Sequence, residues 1–425
     1  MIAIHDPVHG TIEVSPREIK LIDSRPFQRL RHIKQLGFAE LAFPGATHTR
    51  YLHSLGAMHV ASRIGERLLG DFELPDAEHQ RLWQTLRLAV LFHDLGHPPM
   101  GHVSERVMPP LADLKLTEWD DSDRQATHED YTIKLLVDSE LTALIEQQVG
   151  DRGITGPRLA ALVAGRTPPG DEGAFRVDGV DFLPLLSQVV SSELDADRMD
   201  YLQRDAYYCG VSYGHFDRSW LINNLRTVEW EGKYLMALQH KGVWAFENFL
   251  LARFHMFLAV YYHHTAICFD NLLLKFLASG EYALPADSDA YLQTDDVQVL
   301  TALRKSKDPW AQMVVTRRGY RLLVETHSFG KGPEDAALDV RLGEAGVEFF
   351  RVQSKGVLSK YFNKRQKVFP LLVVEPEVGR VQRIEDYTPL YRRFDDVVAL
   401  SRVYCRPDQL QKARTYLCED VAAGG

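Results

Sequence analysis

Two histidines and two aspartates, His53, His93, Asp94 and Asp197, are spaced so that their side chains could converge on one divalent metal ion. Imidazole nitrogen with carboxylate oxygen suits an octahedral ion such as Mn, Fe, Mg or Co, with positions left for water and phosphate oxygens; zinc is less expected. Taken singly, an inward histidine or aspartate is more often a hydrogen-bonded core residue. The joint pattern reverses that preference, because His93-Asp94 has His53 upstream, Asp197 downstream and His97, His102 and His128 close by in the chain. A Ser-His-Asp hydrolase is the competing chemistry; the string GVSYG at Gly210 to Gly214 fits GxSxG in letters, but it follows a helical stripe and not the strand that a nucleophile elbow needs.

Three helices must position these groups. The first, from about Tyr51 to Leu69, repeats His53, Ala57, Val60, Ile64 and Leu68 along one face, which turns His53 inward with the apolar stripe. Arg50 shares that face and places a cation beside the imidazole, a pairing that suits a phosphate. The second, near Leu82 to Leu95, is apolar on most sides and ends at Gly96 before Pro98-Pro99, with His93-Asp94 in its last turn. The third is expected to start at Ser191-Ser192, either of which can cap it, and to carry Asp197, Tyr201, Asp205 and Tyr208 on one polar stripe lining a cavity.

A chain of 425 residues, 45% hydrophobic and 25% charged, can bury a large core, so one large domain with an appendage, or two domains, is expected. Its formal charge of −9 argues against a general grip on nucleic acid or anionic membrane and favours a small partner held in a local basic pocket. Cys209, Cys268, Cys405 and Cys418 are widely spaced with no CxxC pair, as expected of reduced thiols in a cytoplasm. The opening MIAIHDPVHG is not a basic segment followed by an apolar core, and the most apolar stretch, Phe246 to Leu277, is broken by Arg253, His255, His263, His264 and Asp270. No membrane crossing is therefore expected. Helical periodicity dominates from about residue 16 to residue 278, and beyond it runs such as Tyr320 to Glu325 and Val368 to Val374 read as strands. The expected fold is mostly α: a helical domain over residues 1–280 and a smaller α+β lobe over 281–425.

HTRYLHSLG, LFHDLGHPPMGH, HED and SSELDADRMDYLQRDAYYCG resemble, in order and spacing, the motifs of the HD-domain deoxynucleoside triphosphate triphosphohydrolases. DPVHG, IDSRPFQRLRHIKQLG and FPGATHTR extend the resemblance, which is strong over roughly residues 5 to 270 and faint beyond, where RVYC at Arg402 to Cys405 is similar to a segment near the family's carboxyl end. The resemblance implies an HD-domain helical core with His53, His93, Asp94 and Asp197 as metal ligands. It implies that His102 and His128, with Glu129, sit by the scissile α-phosphate, one histidine protonating the leaving oxygen and the carboxylate orienting it. It places His97, Arg50, Arg198, Tyr201 and Arg253 around the phosphates, with Arg198 standing where some relatives carry lysine. Gln35, Leu36, Asp205 and Tyr261 match positions that select the deoxyribose. Arg253, Phe257 and Tyr261 share a helical face and should wall the same pocket.

Asp23, Gln28 and Arg31 reproduce the spacing with which activated members recognise a guanine nucleotide, so GTP or dGTP is the expected activator. Ile2 and His264 stand where that clamp carries lysines, which predicts weak coupling; alternatively Asp23 and Arg31 are a helix-terminal carboxylate and its ion pair. A homo-oligomer, dimer or tetramer, is implied as well. Two other functions compete with dNTP hydrolysis. A non-catalytic nucleotide sensor is disfavoured by the intact ligand set, and a broader HD phosphohydrolase by the deoxyribose-selecting residues.

Overall fold

A computed structural model describes residues 1–329, 336–356, 369–393 and 398–423. The chain opens with the hairpin β1 (Ile2–Asp6) and β2 (Gly10–Val14), paired from Ile2↔Val14 to Asp6↔Gly10. Helix α1 (Pro16–Ile22) follows under a capping box, in which Ser15 accepts from the Glu18 amide and the Glu18 carboxylate accepts from the Ser15 amide. Helices α2 (Arg50–Leu69) and α3 (Asp76–Phe92) pack side by side, α4 (His128–Val137) is capped by Thr127, and α5 (Ala196–Cys209) crosses α2. The hairpin β3 (Leu225–Trp230) and β4 (Lys233–Gln239) precedes α6 (Val243–Met256), the π-helical turn Phe257–Tyr261 and α7 (His264–Leu277).

The expected stripe of α2 is observed: His53, Ala57, Val60, Ile64 and Leu68 are fully buried. Each such aliphatic side chain larger than alanine contributes about 1.5–3 kcal/mol of burial. Two boundaries differ from the sequence reading. Helix α3 stops at Phe92, leaving His93 as its C-cap and Asp94 beyond the last turn. Helix α5 is capped by Asp195 rather than by Ser191 or Ser192, because the Asp195 carboxylate reaches both the Arg198 amide (2.8 Å) and the Ser192 amide (2.9 Å). One carboxylate thereby satisfies donors on both sides of the helix start.

The helical run is also interrupted. The β3–β4 hairpin turns through Glu231-Gly232, a two-residue connection typical of hairpins, within the stretch read as helical. The remaining strands are β5 (Arg321–Phe329), β6 (Phe349–Gly356), β7 (Leu372–Glu375), β8 (Arg380–Arg383) and β9 (Val398–Cys405). Strand β9 lies antiparallel between β5 and β6, forming the expected α+β region with helices Ala336–Glu344 and Leu410–Ala423. Strands β7 and β8 join the other sheet, in the order β8-β7-β4-β3, with β7 parallel to β4. The chain beyond residue 280 therefore contributes to both parts. Of the strand expected at Val368 to Val374, Val368 lies outside the described residues. The stretch His240–Tyr261 is long and apolar enough to cross a membrane by length and composition. It packs as part of the core, burying Phe246, Phe249, Met256 and Val260, and sets Arg253 against the central cavity.

Helix α2 approaches α5 across Gly56, where a β-carbon would stand 2.1 Å from Asp200 Oδ1 and 2.2 Å from an Arg204 nitrogen. Both groups are buried and paired, Arg204 also reaching Asp6 at 2.8 Å. Gly56→Ala should therefore lower the stability by about 1–3 kcal/mol through overpacking. Urea unfolding checks this, and an unchanged midpoint would mean that the two helices separate at no cost.

Candidate active site

Helix α2 contributes Arg50 and His53, the turn after α3 contributes His93, Asp94 and His97, and the first turns of α5 contribute Asp197, Arg198 and Tyr201. Their meeting depends on Gly96, where a β-carbon would lie 2.0 Å from the His128 carbonyl oxygen and 2.3 Å from the Thr132 amide nitrogen. Only a residue without a side chain lets the His93–His97 turn lie against α4 this closely. The Gly96 amide donates to Thr132 Oγ1 (2.9 Å), and that hydroxyl donates to the His93 carbonyl (2.9 Å).

His53 Nε2 stands 3.0 Å from Asp197 Oδ1 and 3.8 Å from Asp94 Oδ2. His93 Nε2 stands 3.5 Å from the same Asp197 oxygen and 3.4 Å from Asp94 Oδ1. Both Nε2 atoms are buried with no hydrogen-bond partner among the described residues, whereas both Nδ1 atoms are engaged. His53 Nδ1 meets Asp200 Oδ2 at 2.8 Å, and His93 Nδ1 meets the Val90 carbonyl at 2.7 Å. Imidazoles pinned at one nitrogen with the other turned to a shared centre are oriented as metal ligands are. Burial pushes the His53 pKa down, but Asp197 and Asp200 raise it to about 10, so the centre favours a positive charge, which a divalent cation can supply in place of a proton. The residues fit a metal. His53, His93 and Asp197 have ligand atoms within 4.8 Å of one another. Asp94 borders them while its Oδ2 accepts from Arg50 Nη1 at 2.6 Å. Its carboxyl is held well below the usual range, against burial, by His93, His97 and Arg50.

The other expected residues surround one cavity of about 580 Å³, lined by Gln35, Leu36, Arg50, His97, His102, His128, Glu129, Arg198, Tyr201, Asp205, Arg253 and Tyr261 as well as by metal-centre residues. Phe257 lies on the same wall as Arg253 and Tyr261, with a π-helical turn from Phe257 where a regular helix was expected. Asp205 has both oxygens engaged, Oδ1 with His48 Nε2 (2.8 Å) and Oδ2 accepting from the Tyr261 hydroxyl (2.8 Å), and so fixes the Tyr261 ring at the cavity wall. Arg198 donates to the Ser192 carbonyl and lies 3.6 Å from Asp195.

One role differs from the sequence reading. The carboxylate that orients the two histidines is Glu105: its Oε1 lies 2.5 Å from His102 Nδ1 and 2.8 Å from His128 Nδ1. Glu129, near the start of α4, is exposed at the cavity rim. The 3-10 turn Gly101–Val107 carries His102 and Glu105 on one side, a spacing visible in the chain but not read there as a pair. His97 stacks on His128 at 3.9 Å. Burial, followed by the charges of Arg50 and His128, keeps His97 neutral. His97, His102, Glu105 and His128 form a second group whose ligand atoms lie within 4.8 Å, but Glu105 already occupies the Nδ1 atoms of His102 and His128. Also missed were Asp200 and His9, whose Nε2 is 2.5 Å from Asp200 Oδ1.

Asp23, Gln28 and Arg31 lie outside this cavity, around the end of α1. Arg31 does not pair with Asp23. It lies over the Tyr51 ring at 3.5 Å and donates to Gln28 Oε1 (2.7 Å), whose amide donates to the Ile22 carbonyl (2.8 Å). Ile2 and His264 are exposed.

Residues 50–205 match the HD domain and residues 216–328 the HD associated region. The structure of a hypothetical protein from Aquifex aeolicus is 30% identical, with a TM-score of 0.73 over 98% of this chain and 99% of that one. An uncharacterised protein of Methanocaldococcus jannaschii is 29% identical over 82% of this chain and 65% of its own length. The human deoxynucleoside triphosphate triphosphohydrolase SAMHD1 is 28% identical over 71% of this chain and 46% of its own length. The chain thus spans roughly half to two thirds of the curated relatives it matches. It belongs to the HD-domain family and resembles its dNTPase-like members.

His53→Ala and Asp94→Asn should lower bound divalent metal in elemental analysis while leaving the circular dichroism spectrum intact. Asp200→Asn, which weakens the hydrogen bond behind His53 together with the contacts to Arg204 and His9, should lower metal affinity about 10- to 100-fold. Full metal loading of all three variants would place the metal elsewhere.

Proposed function

We propose that the protein hydrolyses deoxynucleoside triphosphates to deoxynucleoside and inorganic triphosphate. The observation that carries this reading is one cavity lined by His93, Asp94 and Asp197 of the centre they form with His53, by the cations Arg50, Arg198 and Arg253, and by Gln35, Leu36 and Tyr261. Its volume suits a nucleotide. A divalent metal (Mn, Fe, Mg or Co before Zn) held by His53, His93, Asp94 and Asp197 would supply Lewis acidity and a water of lowered pKa. Arg50 and Arg198 hold phosphate oxygens, His97 stays a neutral donor, and His128, backed by Glu105, gives a proton to O5′. Water oxygen bonds to the α-phosphorus as the P–O5′ bond breaks; one water proton restores that of His128 by way of solvent, the other stays on the new triphosphate oxygen, and deoxynucleoside and triphosphate are released. His102, with its side chain 70% exposed, is the outer partner of that acid. Tyr261, fixed by Asp205, packs against the deoxyribose, and Gln35, whose Oε1 is buried without a hydrogen-bond partner among the described residues, accepts from the 3′-hydroxyl. The name of the human relative supports this substrate class.

Phosphorus NMR tests the reaction. With each dNTP the product spectrum should show triphosphate, and each NTP should be cleaved far more slowly. Pyrophosphate or orthophosphate as first product would favour the broader phosphohydrolase, and no product the sensor.

A guanine nucleotide at Asp23, Gln28 and Arg31, in a dimer or tetramer, is the proposed activator. With Ile2 and His264 in place of lysines, the stimulation should be at the low end of allosteric coupling, about 5-fold. The test is a rate titration with GTP and one dNTP, in wild type and in Arg31→Ala, with mass followed by light scattering. Equal stimulation of both proteins, or of neither, would make these three residues structural.

A further inference from the structure

The same cavity is also lined by Gly37, Ala39, Met100, Val103, Ala266 and Asp270, of which Met100 and Asp270 both approach Gly37, next to the Gln35-Leu36 segment. Five of these offer only apolar side chains or backbone. The sixth is a carboxylate. Asp270 projects from the middle of α7, and its Oδ1 lies 4.0 Å from where a β-carbon on Gly37 would be, so it adjoins the Gln35-Leu36 segment directly. Among the described residues it has no hydrogen bond or ion pair. Asp270 is half-buried with its carboxyl in the cavity lining, and this burial raises its pKa to about 7, offset in part by the exposed Arg106. A charged carboxyl without partners in an apolar recess lowers stability at neutral pH, because its folded-state pKa lies above the unfolded value and the penalty is present wherever the group is ionised. Groups kept at such a cost belong disproportionately to sites that use them.

We propose that Asp270 reads the base of the nucleotide and selects guanine. The inference rests on the dNTP reading of the cavity: with phosphates at Arg50 and the metal centre and deoxyribose at Gln35 and Tyr261, the base enters the recess that Asp270 closes. Two donors on a bound base draw the carboxyl into its ionised form, which offers two acceptors side by side. Guanine alone among the four bases presents two adjacent donors, N1–H and the 2-amino group, on one edge, so both of its hydrogen bonds can form. Adenine and cytosine place a ring acceptor beside their amino donor, and thymine flanks its single N–H with carbonyls, so each sets an acceptor against the carboxylate. Paired recognition of this kind typically discriminates by about 1–3 kcal/mol, or roughly 5- to 150-fold.

The test is calorimetric binding of the four dNTPs, with triphosphate release measured on the same samples, for wild type, Asp270→Asn and Asp270→Ala. Wild type should bind dGTP at least about tenfold more tightly than dATP, dCTP or dTTP. In both variants the ratio of dGTP to dTTP affinity should fall about tenfold, because neither retains two acceptors. Their melting temperatures should equal or exceed that of wild type, since the unpaired charge has gone. Equal affinity of wild type for all four dNTPs, a dGTP preference that survives in both variants, or unfolding of both variants would each overturn the assignment. Guanine-selective binding without triphosphate release would uphold Asp270 as the base reader and overturn only the proposed hydrolysis.

Discussion

The candidate active site depends on a buried carboxylate that touches no expected substrate. Asp200 accepts from His53 Nδ1 on α2, lies against His9 next to the amino-terminal hairpin, and pairs with Arg204 one turn along its own helix. Arg204 in turn holds Asp6 of β1. Isolated, such charges would cost several kcal/mol each to bury. Combined, they tie β1, α2 and α5 into one unit and leave His53 a single orientation, with Nε2 turned toward Asp197. The apolar packing of α2 brings the helices together, and the ionic network fixes their rotation.

From that fixed point the cavity is built in layers. Gly96 lets the His93–His97 turn press on α4, which stacks His97 on His128 and delivers His128 to Glu105. The cations Arg50, Arg198 and Arg253 enter from three different helices, so no one element can place a phosphate by itself. The π-helical turn after α6 carries Tyr261 to Asp205, and α7 adds Asp270 to the lining beside Gly37. A site assembled from so many segments is sensitive to packing far from its centre.

Much of this was legible in the chain, and the exceptions have physical causes. The inward face of α2 follows from its period, and the residues proposed as metal ligands could be selected because each sits in a helical turn or at a helix end where local spacing fixes direction. Asp195 was passed over as the cap of α5 because serine and aspartate cap about equally well and the choice depends on the path of the preceding loop. Glu105 was missed because its role requires a 3-10 turn to fold back onto α4, a tertiary relation that no period encodes. Asp200 was missed although it lies one turn beyond Asp197. A second carboxylate on a helix is ordinarily solvated, and only the arrival of Arg204, His9 and His53 makes this one structural. The β3–β4 hairpin was read as helix because β4 is buried along most of its length and shows little of the alternation that marks a half-exposed strand.

The most direct test of the account is a crystal structure with Mn and a non-hydrolysable dNTP analogue, in which anomalous scattering locates the metal. The account predicts a Mn peak between His53 Nε2, His93 Nε2 and Asp197, triphosphate against Arg50 and Arg198, and the base in the recess beside Asp270. A Mn peak outside these residues, or a nucleotide bound outside the cavity, would contradict it.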